Sequence, residues 1–179
     1  MSTDSHVIEL SLDEIREVAG FAARCASEVL PIFEGAVPAD ARPREAIGAA
    51  LAFAEGGART NALRSSAWAA FRAAQSAPTD AASEAAHSAS AAAGAAFLHP
   101  LAQADQVKHI LGSPARAAFA AELEGGDGPR AGEDRIEAAL GEASSVVIDV
   151  LRRYPAAPSG GERVGELMRQ LDSTLRHRA

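Results

Sequence analysis

Residues 79–97 read TDAASEAAHSASAAAGAAF, and this run of alanine and serine limits the fold more than any other part of the chain. Alanine is the strongest helix former, so the run predicts a helix, capped by Thr79 or Asp80 and extending as far as His99. Its flanks carry almost nothing large to bury, so its value lies in how near other helices can come to it. The expectation is a close-packed central helix. Alanine supplies roughly a quarter of the 179 residues and aromatics only 4%, which together predict an all-α fold.

The remaining helices follow from caps, stops and apolar spacing. Ser11 and Glu14 form a capping box ahead of Leu12, Ile15, Val18, Ala22 and Val29, and Pro31 reads as the stop. Asp40 as N-cap and Pro43 in the first turn open a second helix that runs to Gly56-Gly57. A third begins near Arg59 or Thr60 and carries Leu63, Trp68 and Phe71 toward Pro78. Pro100 opens a fifth. Gly112-Ser113-Pro114 reads as a C-cap, a new N-cap and a first-turn proline that restart the chain as a sixth, although one kinked rod is the alternative. A seventh helix runs from Ile136 to Tyr154, and the last carries the stripe Val164, Leu167, Met168, Leu171 and Leu175. The expected whole is one domain over residues 1–179, with seven to eight helices in an antiparallel bundle or layered helical array. Residues 1–10 are expected as a flexible N-terminus, 124–134 as a flexible loop, and 155–161 as the loop before the last helix.

Charge and composition exclude several functions. The formal net charge of −7 disfavours nonspecific nucleic-acid binding, because phosphate backbones repel such a chain. Cys25 is the one cysteine and falls on an apolar helix face, which points to a reducing compartment and no disulfide framework. The segment MSTDSHVIEL lacks the basic start of a signal peptide, and no window is apolar enough for a membrane span, so a cytoplasmic, membrane-free protein is expected. No phosphate-binding loop surrounds Lys108, the single lysine, and no carboxylate cluster suits a pair of magnesium ions. Nothing in the residues calls for a cofactor or a metal.

Two groups of residues carry what chemistry there is. With Pro100 as a helix start, Asp105 and His109 stand four apart on one face and His99 at the entrance, and His87 of the preceding helix could join them in a polar ligand pocket. The bland alternative has His99 bonded locally and Asp105 paired with His109 or Lys108. Asp40, Arg42 and Arg44 lie near a helix start, where free amides attract anions, and Arg59 and Arg64 with Trp68 on the next helix could complete an anion clamp or partner contact. Against that, the arginines could pair with Glu45 and Glu55 on the surface, and Trp68 with Phe71 could belong to the core. Tyr154 is expected as a helix-end residue with its hydroxyl toward water.

The stretches DARPREAI, RTNALRSSAWAA, FLHPLAQADQVKHILG and VVIDVLRRYPAAP, with GERVGELMRQLDSTLR after them, resemble an actinobacterial family of immunity proteins, the Imm-5-like domains of bacterial toxin systems. The resemblance runs from about residue 11 to 176. It implies a helical cytoplasmic protein that acts by stoichiometric binding, and it brings no catalytic residues; some relatives carry a nuclease-like label, which the missing phosphate loop does not support. Three readings follow. A non-catalytic inhibitor would occlude a protein partner, such as a toxin encoded nearby, with the acidic surface suiting a basic partner. A small-molecule binder or an enzyme would use the His87, His99, Asp105 and His109 pocket. A homodimer would join copies through alanine contacts.

Overall fold

A computed structural model describes residues 6–178 and contains eight α-helices. They are α1 Leu12–Ala36, α2 Arg42–Ala54, α3 Asn61–Gln75, α4 Asp80–Gly94, α5 Val107–Glu124, α6 Pro129–Glu142, α7 Ser145–Arg153 and α8 Glu162–Arg176. Short 3₁₀ turns at Ala95–Phe97 and Ala104–Gln106 bracket the crossing from α4 to α5. The protein is all-α. Among the described residues the only β-type pairing is one isolated bridge, Val7 to Leu101.

The alanine helix is central, as its composition predicts. It packs against α1, α2, α3 and α5, while α5 also meets α1, α6 and α8. Small residues make this closeness possible. Ala82, Ala86, Ala89, Ala92 and Ala93 of α4, Ala19, Ala22 and Ala26 of α1, and Ala115 and Ala118 of α5 are wholly enclosed. Phe21, Phe33, Phe53, Ile110 and Leu111 fill the spaces between. One polar staple crosses the middle: the Ser113 hydroxyl donates to the Ala22 carbonyl (2.8 Å), and the Ser88 hydroxyl donates to the Ser113 carbonyl (2.8 Å). Since both serines are buried, each hydroxyl needs such a partner.

Thr60, at an expected helix start, caps α3, and the caps at Ser11 with Glu14 and at Thr79 behave as read. Prolines do not. α1 runs through Pro31 to Ala36, because Phe33 beyond it is wholly buried against Ala73, Ala82 and Ala117, and that burial offsets the missing backbone bond. Pro114 likewise lies inside one continuous α5, buried with Gly112 and Ser113, so the expected fifth and sixth helices are one. Pro100 opens no helix; α5 starts at Val107, and residues 6–8 instead pair with 100–102, Ile8 N–H donating to the Pro100 carbonyl (2.9 Å) and Ala102 N–H to that of His6 (2.9 Å). Of the N-terminus expected to be flexible, residues 1–5 lie outside the described residues. The seventh helix divides at Ala143–Ser144, where the Ser144 hydroxyl caps α7. Asp40 is not the N-cap of α2, a place taken by Ala41. The turn before α6 is shorter than 124–134, since α6 begins at Pro129.

Candidate functional site

The buried face of α3 is narrow and small: Leu63, Ala70, Ala73 and Ala74. Trp68 stands five residues from Leu63, roughly 140° around the helix, and is therefore turned away from α4. It is 58% exposed. This corrects the core reading of Trp68, and the physical cause is α4 itself, whose close approach admits alanine and excludes an indole. The Trp68 ring stacks edge-on against Phe71 (5.6 Å between centroids, 81°), and Phe71 does the same with His87 (5.2 Å, 63°).

These rings form one wall of a trough of about 540 Å³. α3 packs on α4 and α8 on α5, so the two outer helices leave a gap floored by Ala91, Gly94 and Gly112. Val164 and Met168 of α8 form the far side, and Phe97 closes one end. Ser90 holds the α3 wall in place by donating to the Ala67 carbonyl (2.8 Å). The size is that of a small-ligand cleft or the seat of a few partner side chains.

The imidazoles in the trough are electrically quiet. Burial, with the Arg116 charge as a lesser cause, pushes the His87 ring down to about 4, so it is neutral at pH 7. Burial and then Lys108 also lower His109. His109 Nδ1 lies 3.1 Å from the Gly94 carbonyl, which can only accept, so Nδ1 carries the proton and Nε2 remains an acceptor. The cations lie around the rim. Arg64 sits 4.6 Å from the Phe97 ring centroid, and Arg59, 6.0 Å from it, donates to the Ala96 carbonyl (3.0 Å). Arg116 is bound to Glu84 (2.7 Å) and Lys108 lies 3.5 Å from Asp105.

Of the residues expected in a polar pocket, the trough brings together His87 and His109 but not His99 and Asp105. His99 lines a neighbouring hollow with Arg59 and Asn61, its Nδ1 accepting from Leu101 N–H (3.3 Å). Asp105 is exposed beside Lys108, as in the bland reading, in the 3₁₀ turn before α5. The helical spacing that joined Asp105 to His109 fails because α5 begins two residues after Asp105.

The arginine group also divides. Arg42 binds Asp40 (2.6 Å) and Arg44 binds Glu34 (2.6 Å), not Glu45 or Glu55, and each arginine holds its partner carboxyl below the usual range. Arg59 and Arg64 lie past the far end of α2, whose 13 residues span roughly 20 Å. Only Arg64 and Trp68 of this group line the trough. Phe97, Arg116 and Met168 do as well, and sequence reasoning missed them. Phe97 had a signal in its position, a scarce aromatic just where the alanine helix stops.

Other groups have structural roles. Tyr154 is buried, not water-facing, and its hydroxyl donates to the His99 carbonyl (2.7 Å). Burial pushes the Cys25 thiol up to about 12, which leaves it unreactive. Among the described residues no three His, Cys, Asp or Glu side chains are gathered to hold a metal ion, and no helix is long and apolar enough to cross a membrane.

No curated protein and no solved structure matches the chain. A family match covers residues 9–139, ending inside α6, and so includes every trough residue except Val164 and Met168. On that match the chain belongs to the family described as Imm-5 like putative immunity protein.

Proposed function

We propose that this protein acts by stoichiometric binding, not turnover, and that it neutralises a toxin encoded beside its own gene by covering it with the face built around the α3–α8 trough. The observation that carries this reading is the exposed Trp68, held in place by Phe71 at the edge of an apolar trough. A large aromatic left 58% exposed needs a reason in a chain whose aromatics are scarce, and such anchors supply much of the binding energy of many interfaces. Family membership supports a protein partner. The unreactive, buried Cys25 is compatible with a meeting in the reducing cytoplasm.

The test is co-expression of the neighbouring toxin with this protein and with Trp68→Ala. Protection by the native chain and its loss in the variant support the proposal. If the toxin is neutralised equally by both, the trough is not the contact face; if the native chain gives no protection and forms no complex, the immunity reading itself fails.

A further inference from the structure

The trough and the molecule that carries it have opposite electrical character. The chain has 24 acidic against 17 basic residues, yet the residues lining the trough include Arg64, Lys108 and Arg116 and not one carboxylate. The two imidazoles add no charge at neutral pH, because burial holds both in the neutral form. The cations differ in availability. Arg116 is committed to Glu84 at 2.7 Å. Lys108 has only a 3.5 Å pairing with Asp105, and both side chains are more than half exposed. Arg64 and Arg59 have no carboxylate within ion-pair distance among the described residues, and both rest on Phe97. Placing Arg64 over a ring face leaves a hydrogen-bonding cation at the mouth of an apolar slot.

Building on the proposed protein-binding role, we infer that the trough receives the apolar side chains of an acidic amphipathic helix of the protein partner, which lies across its mouth. A large apolar side chain of that helix enters beside Trp68, Phe71 and Met168, and its carboxylates meet Arg64, Lys108 and Arg59. The small floor of Ala91, Gly94 and Gly112 lets the helix come close, and α3 and α8 stand on either side of it. This reverses the expectation from net charge. Charge matching at short range is set by the groups at the contact, and a basic helix would bring like charge against Arg64 and Lys108. The net charge of −7 steers at distances where salt already screens it, beyond about 10 Å.

Trp68 is the single tryptophan, so its emission reports this site in the full-length protein. The probes are two tryptophan-free peptides of about 18 residues, long enough for partial helicity, with one leucine stripe and either glutamate or lysine on the polar face. The glutamate peptide is expected to bind about tenfold more tightly and to shift Trp68 emission to the blue. Its advantage should vanish in Arg64→Glu/Lys108→Glu, whose altered residues are exposed, and should collapse in about 0.5 M salt, where exposed pairs are screened. Arg64→Gln alone should remove part of it. Equal or tighter binding of the lysine peptide overturns the inference, as does failure of the glutamate peptide to bind at about 1 mM, the weak end of measurable affinity. A toxin complex that forms while the lysine peptide wins sinks this inference and leaves the immunity role standing.

Discussion

Replacing Trp68 by alanine separates a binding residue from a core residue by magnitude. An indole that is fully enclosed buries roughly 150–250 Å². Trp68 is 58% exposed, so about two fifths of its surface is covered, or roughly 60–100 Å². At ~25 cal/mol per Å² that is worth roughly 1.5–2.5 kcal/mol as an upper bound. The edge-on contact with Phe71 adds ~0.5–1.5 kcal/mol, and the alanine methyl keeps part of the covered area. The net expectation is a loss of about 2 kcal/mol in urea unfolding. It should be followed by far-UV circular dichroism, because the variant has no tryptophan to observe. Phe21→Ala, at 0% exposure, is the internal comparison and should cost about 3–5 kcal/mol. Affinity for the partner should fall at least ~30-fold in Trp68→Ala, the range of an interface anchor. A stability loss of ~4 kcal/mol or more would place Trp68 in the core and not at a binding face; unchanged affinity would remove it from the interface.

Three further outcomes are expected. Gly94 has ordinary helical backbone angles and a Cβ there would meet nothing within 4 Å, so Gly94→Leu should hold or raise Tm while obstructing partner binding; a large loss of Tm would mean the trough floor is not open. Ser113→Ala should cost ~1 kcal/mol by removing the bond to the Ala22 carbonyl, and Ser113→Val more, by ~1–3 kcal/mol of overpacking at the α1–α5 contact; the reverse order in thermal unfolding would argue against close packing there. The pH dependence of stability should show two windows. The His87 ring titrates near 4 when folded and near its ordinary 6.5 when unfolded, so the unfolded chain takes up the proton first and stability falls as pH drops from 6.5 toward 4. Glu14 is held down to about 2 by Arg153, so its contribution is full above 4.5 and is lost as pH falls from there through 2. His109, which burial also lowers, adds to the upper window, so His87→Gln should shrink that window and leave the lower one alone in urea titrations; an unchanged profile would contradict the buried neutral His87 ring.

Much of the architecture was legible because it depends on local chemistry. The capping box at Ser11 and Glu14, the caps at Thr60 and Thr79, and the apolar stripe of α8 are short-range signals. The central place of α4 followed from its lack of large side chains. The number of helices came out right through errors that offset each other: Pro114 was read as a restart inside what is one α5, and the break at Ala143–Ser144 was read through. Both reflect tertiary context. Around Pro114 the chain is buried and Ser113 is tied to Ala22, 91 residues away, whereas Ala143–Ser144 has ordinary helix-compatible composition. The site was less legible for the same reason. His87 and His109 could be paired only after α4 and α5 were known to pack side by side, and Asp105 left the pair once α5 was found to begin at Val107. Hydrophobicity alone leaves Trp68 open between a partner contact and the core, yet an alanine neighbour selects an alanine face. That inference was available from the sequence, since Leu63, Ala70 and Ala74 already mark the small face of α3.

A single resonance decides whether Trp68 and its trough are where the partner lands. Replacing the single tryptophan with 5-fluorotryptophan gives one ¹⁹F resonance from this chain in a complex with the proposed toxin partner. If the trough is the contact face, that resonance shifts on binding and loses its response to D₂O and to soluble quenchers, because water no longer reaches the ring. A complex that forms with the resonance unmoved and still open to solvent would place the partner on another face of the molecule.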